Sequence, residues 1–348
     1  MSSQGYSMRT NRKFIVFEQS FRNPMATARG DMSVITSLIL REVFENGTIG
    51  YGEVASIPGF SEFSIDEGLL EAEDWIHGRC KDVQKYRILA PALASLTSSV
   101  WEAVPSVELQ ESAQLYHPEQ NITSSTVKRK IGLRPPKQEI DQVLDWLGRL
   151  PRQTKVRLDA NEALTPGQLQ MWVSAISHAP QIEFIEQPTG KFYDDWLFDF
   201  AQSSSLPLAL DEGCLRLARQ GKLLASPWPG FFVIKPSLYS NWDEIEELIK
   251  RSPDRIVLST CFESPFGYEA IIRLAARART VPGLDRSCYQ GNRFEFASHH
   301  FDRLSTPSVP VEELEKLWHQ LSVQWIDIYR LGRAGWLRRI EGVATLPI

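Results

Sequence analysis

The sequence predicts an α/β fold with a parallel β-sheet, preceded by a smaller α+β region. From about residue 126, short apolar segments alternate with amphipathic helices, the arrangement that produces parallel strands joined by crossover helices. Before that point strand patterns come first and helical patterns follow, as in small α+β domains. A barrel and an open, doubly wound sheet both fit the alternation.

The first region contains three strand candidates followed by helices. The strand candidates are apolar segments at residues 14–17, 34–44 and 49–54. Asn46-Gly47 is a turn signal between the second and the third of them. Helical spacing then extends from about residue 64 to about residue 109. We therefore expect a small α+β domain here.

The second region repeats a strand and a helix several times. Its predicted strands are at residues 127–131, 156–158, 182–185, 206–210, 231–234 and 256–258. The helix after the second of these strands begins at Thr165-Pro166, an N-cap followed by proline at the first helical position. A last amphipathic helix is predicted at residues 312–331.

The composition is that of an ordinary globular protein. The net charge of −5 argues against a nucleic-acid-binding surface. No apolar segment approaches the roughly 20 residues that cross a bilayer, and residues 1–12 lack the apolar core of a secretory signal. We expect a cytoplasmic protein without nucleic-acid or membrane partners. The scattered cysteines fit reduced thiols, and Cys261 is expected only to pack near the candidate site.

Six predicted strands end in a reactive polar residue. These residues are Lys130, Asp159, Glu186, Asp211, Lys235 and the pair Ser259-Thr260. Successive positions are 24 to 29 residues apart, about the length of one strand–helix unit in a barrel. Each residue thus lies at the C-terminal end of its strand, the face on which barrel enzymes hold their active sites.

The three carboxylates predict a metal site. Each alone could be a helix N-cap. Three of them together would repel one another without a cation. Oxygen ligands suit Mg²⁺ or another hard cation such as Mn²⁺, and zinc is disfavoured because no Cys or His lies among the candidate ligands. We expect Asp159, Glu186 and Asp211 to bind one divalent cation.

The lysines are the rarer signal, because lysine is seldom buried unless it is paired or functional. Lys235 follows the apolar segment at residues 231–234 directly, and Lys128 and Lys130 share one face of their strand. Each could be a surface lysine just beyond a strand. Facing three carboxylates across a barrel mouth, they fit better as acid–base groups.

The motifs resemble a known family. They are Lys128-Arg129-Lys130, Leu158-Asp159-Ala160-Asn161, Glu186-Gln187-Pro188, Leu210-Asp211-Glu212 and Ile234-Lys235-Pro236. Together they resemble the enolase superfamily, its muconate-lactonizing subgroup and, within that subgroup, the o-succinylbenzoate synthase family. Further similarity lies in Gly50-Tyr51-Gly52-Glu53, in Pro58-Gly59-Phe60-Ser61 and in the segment at residues 280–285. The resemblance covers about residues 14–285.

The resemblance implies a modified TIM barrel, (β/α)₇β, with an N-terminal α+β capping domain. This selects the barrel over the open sheet. The capping domain would span residues 1–115, with lid loops near residues 20–30 and 55–62. The barrel would span residues 116–305, and residues 306–348 would pack back on the capping domain.

The resemblance also implies roles for individual residues. Lys130 would remove the proton beside a substrate carboxylate, giving a metal-stabilised enediolate, and Lys128 would tune Lys130. Lys235 would face the other side of the substrate ring as an electrostatic partner. Substrate contacts would come from Arg157, Ser259, Thr260 and Glu263. Arg129 departs from the usual aliphatic residue, and we expect it to have a carboxylate partner in the helix layer.

The implied reaction is the dehydration of 2-succinyl-6-hydroxy-2,4-cyclohexadiene-1-carboxylate to 2-succinylbenzoate, in menaquinone or phylloquinone biosynthesis. Alternatives on the same scaffold are an N-succinylamino acid racemase, a dipeptide epimerase and a cycloisomerase, since each reaction begins with proton removal beside a carboxylate. A non-catalytic barrel that binds a metal or metabolite is the alternative from another class. The partner in all of the catalytic cases is a small carboxylate substrate.

Overall fold

The N-terminal part forms a three-stranded antiparallel sheet in the order β1-β2-β3. The computed structural model describes residues 11–27, 30–56, 63–79, 85–102, 109, 111–286 and 309–329. The strands are β1 (Arg12–Thr27), β2 (Gly30–Val43) and β3 (Ile49–Ser56). The predicted turn joins β2 to β3, and Gly47 adopts a φ of +84° that suits glycine.

The first two strands extend further than their apolar segments indicate. Their pairing shifts register between Ser20 and Met25, around Pro24. Such an irregularity is tolerated because β1 is an edge strand. A proline, which has no N–H to donate, need not interrupt the hydrogen bonds between strands there. The polar residues between Phe17 and Pro24 concealed this part of the strand from periodicity.

Two helices cover one face of this sheet. They are α1 (Ile65–Ile76) and α2 (Ala90–Leu96). Ser64 and Glu67 form a reciprocal capping box at the start of α1. Alternate apolar positions of the strands face these helices, and the shared cluster includes Leu38, Leu40, Val54, Leu69, Trp75, Leu93 and Leu96.

The other face of the sheet packs on the rest of the molecule. Ile39 and Tyr51 belong to the main hydrophobic core. The C-terminal helix, α9 (Val311–Tyr329), contributes Glu315, which accepts hydrogen bonds from Arg41 at 2.7 and 2.5 Å and from the Tyr51 hydroxyl. No helix in the described ranges is long and apolar enough to span a bilayer.

The central part forms a seven-stranded parallel sheet. Its strands are β4 (Gln114–Leu115), β5 (Thr126–Lys130), β6 (Lys155–Asp159), β7 (Ile182–Glu186), β8 (Leu208–Leu210), β9 (Phe231–Ile234) and β10 (Ile256–Leu258). The helices after β5 to β10 are α3 (Pro136–Arg149), α4 (Pro166–Ile176), α5 (Asp194–Ser203), α6 (Glu212–Arg219), α7 (Trp242–Arg251) and α8 (Pro265–Ala275). Neither β4 nor α6 is among the elements that the sequence pattern predicted.

The strands follow one another in chain order across the whole sheet. A doubly wound sheet would reverse its order at a switch point, so this topology is that of a curled sheet. The segment at residues 280–285 lies between the two edges. Gly283 N donates to Leu258 O at 2.8 Å, and Ala113 N donates to Pro282 O at 2.8 Å. Hydrogen bonding thus continues from the last strand to the chain entering the first.

Strand alternation divides the apolar residues between two layers. Phe184, Ala209, Val233 and Val257 form a separate cluster on the concave face. Their neighbours in sequence, among them Ile185, Leu210, Ile234 and Leu258, pack with the helices instead. The concave face therefore has an apolar layer beneath the polar residues at the strand ends.

Arg129 makes no direct ion pair with a carboxylate, but the negative charge of Glu139 on α3 acts on it from the helix layer, where we expected a partner. Its guanidinium lies 4.8 Å from the ring centroid of Tyr116 and 5.0 Å from that of Trp146. Among the ion pairs of the described residues, none involves Arg129. Burial lowers the pKa of Arg129, and the two aromatic faces offset part of the desolvation through cation–π contact.

Helix α8 is buried along its entire length and contains an ion pair with no solvent exposure. Arg273 Nε donates to Glu269 at 3.0 Å, and the guanidinium also donates to Val100 O and Val309 O. The pair therefore connects α8 to the first region, through Val100, and to the segment that precedes α9, through Val309.

We expect Arg273→Met to destabilise the protein by about 3–5 kcal/mol, because Glu269 would be left as an uncompensated buried carboxylate. Urea unfolding followed by circular dichroism measures this. The control is Arg279→Met, whose pair with Asp254 is about 70% exposed and should contribute little. Equal losses in the two variants would contradict the interpretation.

Candidate active site

The sheet register brings the predicted strand-end residues to one edge. Lys130, Asp159 and Glu186 are the last residues of β5, β6 and β7, and they are direct neighbours in the pairing of those strands. Asp211 and Lys235 follow the last residues of β8 and β9. Five successive strands therefore end in Lys, Asp, Glu, Asp and Lys.

The carboxylates and ammonium groups are paired. Lys128 Nζ lies 2.8 Å from Asp159 Oδ2 and 2.7 Å from Glu186 Oε1, so that it bridges two neighbouring strands. Lys235 Nζ lies 2.5 Å from Asp211 Oδ2. Lys130 Nζ is 3.7 Å from Asp159 Oδ2. The Lys130 side chain is 58% exposed, against 17% for each of the other two lysines, so it is the accessible amine.

Burial and mutual repulsion act on the carboxylates. Desolvation raises the pKa of Glu186 to about 7, and the negative charges of Asp159 and Asp211 add to the increase. Burial also disfavours the charged form of Asp159, but the Lys128 and Lys130 ammonium groups outweigh it, and the pKa of Asp159 is lowered. Negative charge at this edge thus depends on nearby positive charge.

The ammonium groups respond in the opposite sense. Burial disfavours the charged form of Lys128, yet the Glu186 and Asp159 carboxylates outweigh it and raise its pKa. The same balance, with Asp211 as the largest stabilising charge, raises the pKa of Lys235. Both lysines are therefore held as cations while they contact the carboxylates.

The donor set fits a hard divalent cation. As the side chains are positioned, no three His, Cys, Asp or Glu side chains of the described residues converge as a metal-binding group. Instead, lysine ammonium groups provide positive charge against three buried carboxylates. Three oxygen donors without Cys or His suit Mg²⁺ or Mn²⁺. The residues present are therefore compatible with such an ion.

The residues predicted to contact the substrate lie in two places, on strand β6 and in the loop after β10. Arg157 lies on the concave face, where its guanidinium donates to Glu183 at 2.5 Å and lies 5.1 Å from the Phe184 ring centroid. Its Nη2 is buried and has no hydrogen-bond partner within the described ranges. Ser259 and Thr260 follow β10 and are half-buried, and Ser259 Oγ donates to Gly283 O at 3.3 Å.

Glu263 belongs to the same loop but is directed into the protein. It is 1% exposed and accepts hydrogen bonds from Ser237 Oγ at 2.6 Å and from Cys261 N at 2.8 Å. Burial raises its pKa to about 7, and the nearby Glu53 carboxylate adds to this. In this structure Glu263 organises the loop after β10. Cys261 is buried, and burial raises the pKa of its thiol to about 12, so it packs as a neutral group.

Two residues of the quoted motifs to which the sequence reasoning gave no role also hold the site. Gln187 is fully buried at a φ of +35°, and its Oε1 accepts from the backbone N of Asp211 and of Gly213 at 2.9 Å each. Asn161, at a φ of +43°, accepts from Lys130 Nζ. Both follow a strand-end carboxylate within two residues, and that position was the available signal.

Comparison with known proteins gives one consistent group of relatives. No family model matches the chain. An o-succinylbenzoate synthase from Thermosynechococcus vestitus is 27% identical over 280 residues, 74% of this chain and 86% of that protein. One from Escherichia coli O7:K1 is 28% identical over 259 residues, 68% of this chain and 78% of that protein.

The solved structures share the fold. The o-succinylbenzoate synthase from Thermosynechococcus elongatus, complexed with Mg in its active site, has a TM-score of 0.67 at 22% identity, covering 89% of this chain and 99% of that one. The N-succinyl Arg/Lys racemase from Bacillus cereus has a TM-score of 0.60 at 15% identity, covering 88% and 97%. The predicted resemblance is confirmed, and the fold alone does not separate the activities.

We expect Gln187→Met to destabilise the protein by about 2 kcal/mol, because two buried N–H groups would lose their acceptor. Thermal and urea unfolding measure the loss. Gln202→Met is the matched control, since Gln202 is exposed and only donates its Nε2 to Pro227 O at 3.4 Å, so its loss should cost little stability. A Gln187→Met variant as stable as the wild type would show that Gln187 does not hold this turn.

Proposed function

We propose that this chain is an o-succinylbenzoate synthase of the enolase superfamily. The observation that carries the proposal is the order of side chains along one edge, in which lysines on β5 and β9 flank carboxylates on β6, β7 and β8. That order places an amine on each side of an anionic centre. The sequence similarity to o-succinylbenzoate synthases favours this activity over the others on the scaffold.

The same proposal assigns the domains. We interpret the curled sheet with its closing segment at residues 280–285 as the (β/α)₇β barrel predicted at residues 116–305. Because β4 (Gln114–Leu115) pairs with β5, this barrel would begin slightly before that range. The antiparallel sheet with α1 and α2 would be the capping domain predicted at residues 1–115, and residues 306–348 would return to it. The Arg41–Glu315 pair supports that return. Residues 28–29 and 57–62 of the two predicted lid loops lie outside the described residues.

Asp159, Glu186 and Asp211 would hold the divalent cation, with Mg²⁺ preferred and Mn²⁺ as the other candidate. When bound, it would supply positive charge to the substrate carboxylate and stabilise the negative charge that develops there. Lys128 contacts two of the proposed ligands and would control their charge.

Lys130 would carry the proton transfers. Its amine would take the proton from C1 of the cyclohexadiene, beside the ring carboxylate. The resulting ammonium would donate that proton to the hydroxyl leaving C6, so that water departs and the ring becomes aromatic. The Asn161 carboxamide oxygen fixes the Lys130 Nζ at the mouth of the site.

The remaining proposed roles concern binding. Lys235, held as a cation by Asp211, would face the other side of the ring and stabilise its negative charge. Ser259 and Thr260 would contact the substrate at the mouth. Arg157 and Glu263 would act from more buried positions, where both already have protein partners.

We expect the purified chain to aromatise the cyclohexadiene substrate with Mg²⁺ present, and to lose this activity in excess chelator, because the buried carboxylates would then lack the ion. Ultraviolet absorbance of the product measures both. Added Mg²⁺ should restore the rate. Deuterium exchange into an N-succinyl amino acid, with no aromatic product from the cyclohexadiene, would favour the racemase instead.

We expect Lys130→Ala to reduce kcat by about a thousandfold, within the usual range for a positioned acid–base group. Steady-state kinetics with Mg²⁺ measure the loss, and calorimetric titration with Mg²⁺ should show that the metal still binds. Lys137→Ala, an exposed lysine on α3, is the control and should leave kcat unchanged. Unaltered activity in the Lys130 variant would exclude the mechanism.

A further inference from the structure

Gln19 is buried without a hydrogen-bond partner. Its side chain lies on β1 and is 2% exposed. Neither Oε1 nor Nε2 of its carboxamide has a partner in the described part of the chain. Buried polar side chains are nearly always hydrogen-bonded, since leaving one unpaired destabilises the fold. An unpaired amide at such a position therefore calls for a partner outside the protein.

Gln19 faces the loop that follows β10. It lies on the same strand face as Phe17 and Phe21, and it pairs across the sheet with Ile35. Phe21 and Ile35 form a cluster with Cys261, and the Phe21 ring meets the Phe262 ring edge-on at 5.3 Å. Gln19 therefore lies on the strand face that packs against the loop after β10.

A series of contacts leads from Ile35, the cross-strand partner of Gln19, toward the proposed catalytic groups. Cys261 packs with Ile35 on one side, and its neutral thiol lies near the Lys235 ammonium on the other. Phe262, next to Cys261, adopts a φ of +65°, which is uncommon for a non-glycine residue. Gln19 thus shares a strand face with residues that pack toward the Lys235 side of the site.

Neighbouring polar groups on the same interface are already satisfied. Glu53 accepts from Ser264 N at 2.9 Å and from Ser264 Oγ at 2.5 Å. Glu263 accepts from Ser237 Oγ and from Cys261 N. Neither carboxylate accepts a hydrogen bond from Gln19 in this arrangement. The amide is left available by the packing around it.

We propose that Gln19 contacts the substrate, with its Nε2 donating to an oxygen of the succinyl arm. This inference rests on the proposed function. With the ring carboxylate at Lys130, the arm needs neutral donors for its ketone and cations or donors for its carboxylate. An amide supplies a donor without adding charge to an edge that is already balanced. Burial makes the contact selective, because an arm without oxygen would leave the amide unpaired.

The test is Gln19→Met, which keeps the side-chain length and removes both polar atoms. We expect the Kd for 2-succinylbenzoate, measured by calorimetry with Mg²⁺ present, to rise about tenfold, with a similar rise in KM. The Kd for 2-pentylbenzoate, whose arm has no oxygen, should not rise. The melting temperature should increase by about 2–4 °C, because an unpaired amide has been removed.

Gln181→Met is the matched control. Gln181 is also buried, but its Nε2 donates to Leu147 O at 3.2 Å, away from the strand-end edge. We expect this variant to lose stability and to keep the wild-type Kd. Gln19→Asn withdraws the amide by one methylene and should also weaken binding of 2-succinylbenzoate, which gives a second measurement if the Met variant does not fold.

Two results would overturn the inference. An unchanged Kd with a higher melting temperature would show an unpaired amide without a ligand. An unchanged Kd with a lower melting temperature would show that water or the protein satisfies the amide. Failure of the proposed function is distinct, since it would appear as a wild-type chain that neither aromatises the cyclohexadiene nor binds 2-succinylbenzoate.

Discussion

Charge balance at the ends of neighbouring parallel strands is the constraint on which the site depends. Parallel register places Asp159 beside Glu186, and Asp211 follows on the next strand. Such proximity is unfavourable for three buried carboxylates unless cations are equally close. Lys128 and Lys235 provide two of them through contacts of 2.5 to 2.8 Å. The strong polarisation of this edge follows from strand order and requires no unusual backbone in the strands themselves.

Carboxylates also join the N-terminal region, with its antiparallel sheet and helices, to the rest of the molecule. Glu53 of β3 accepts from Ser264, the N-cap of α8, and Glu246 of α7 accepts from Ser98 and Ser99. Space at the first contact is limited, because a Cβ at Gly267 would lie 2.4 Å from Glu53 Oε2. The two regions are therefore held in one arrangement by directed hydrogen bonds as well as by apolar contact.

The sequence was most informative where one physical rule acted alone. Alternating strands and helices predicted the parallel sheet, and the repeat length placed Lys130, Asp159 and Glu186 at equivalent positions. The sequence was least informative where contacts between distant elements decided which structure a segment adopts. The two-residue strand β4 and the short helix α6 are stabilised by their neighbours, and the aromatic partners of Arg129 come from separate elements. Gln187 acts through backbone N–H groups 24 and 26 residues away, which no local pattern reveals.

The docking of α9 determines when one face of the antiparallel sheet is covered during synthesis. Arg41 and Tyr51 lie in early strands, but their partner Glu315 follows them by 274 and 264 residues. The parallel strands pair with neighbours in sequence, so they can assemble as translation proceeds. The face of the antiparallel sheet around Arg41 must wait for the helix. The strands β2 and β3 are thus covered late, and a nascent chain exposes them to chaperones or to aggregation until α9 has been synthesised.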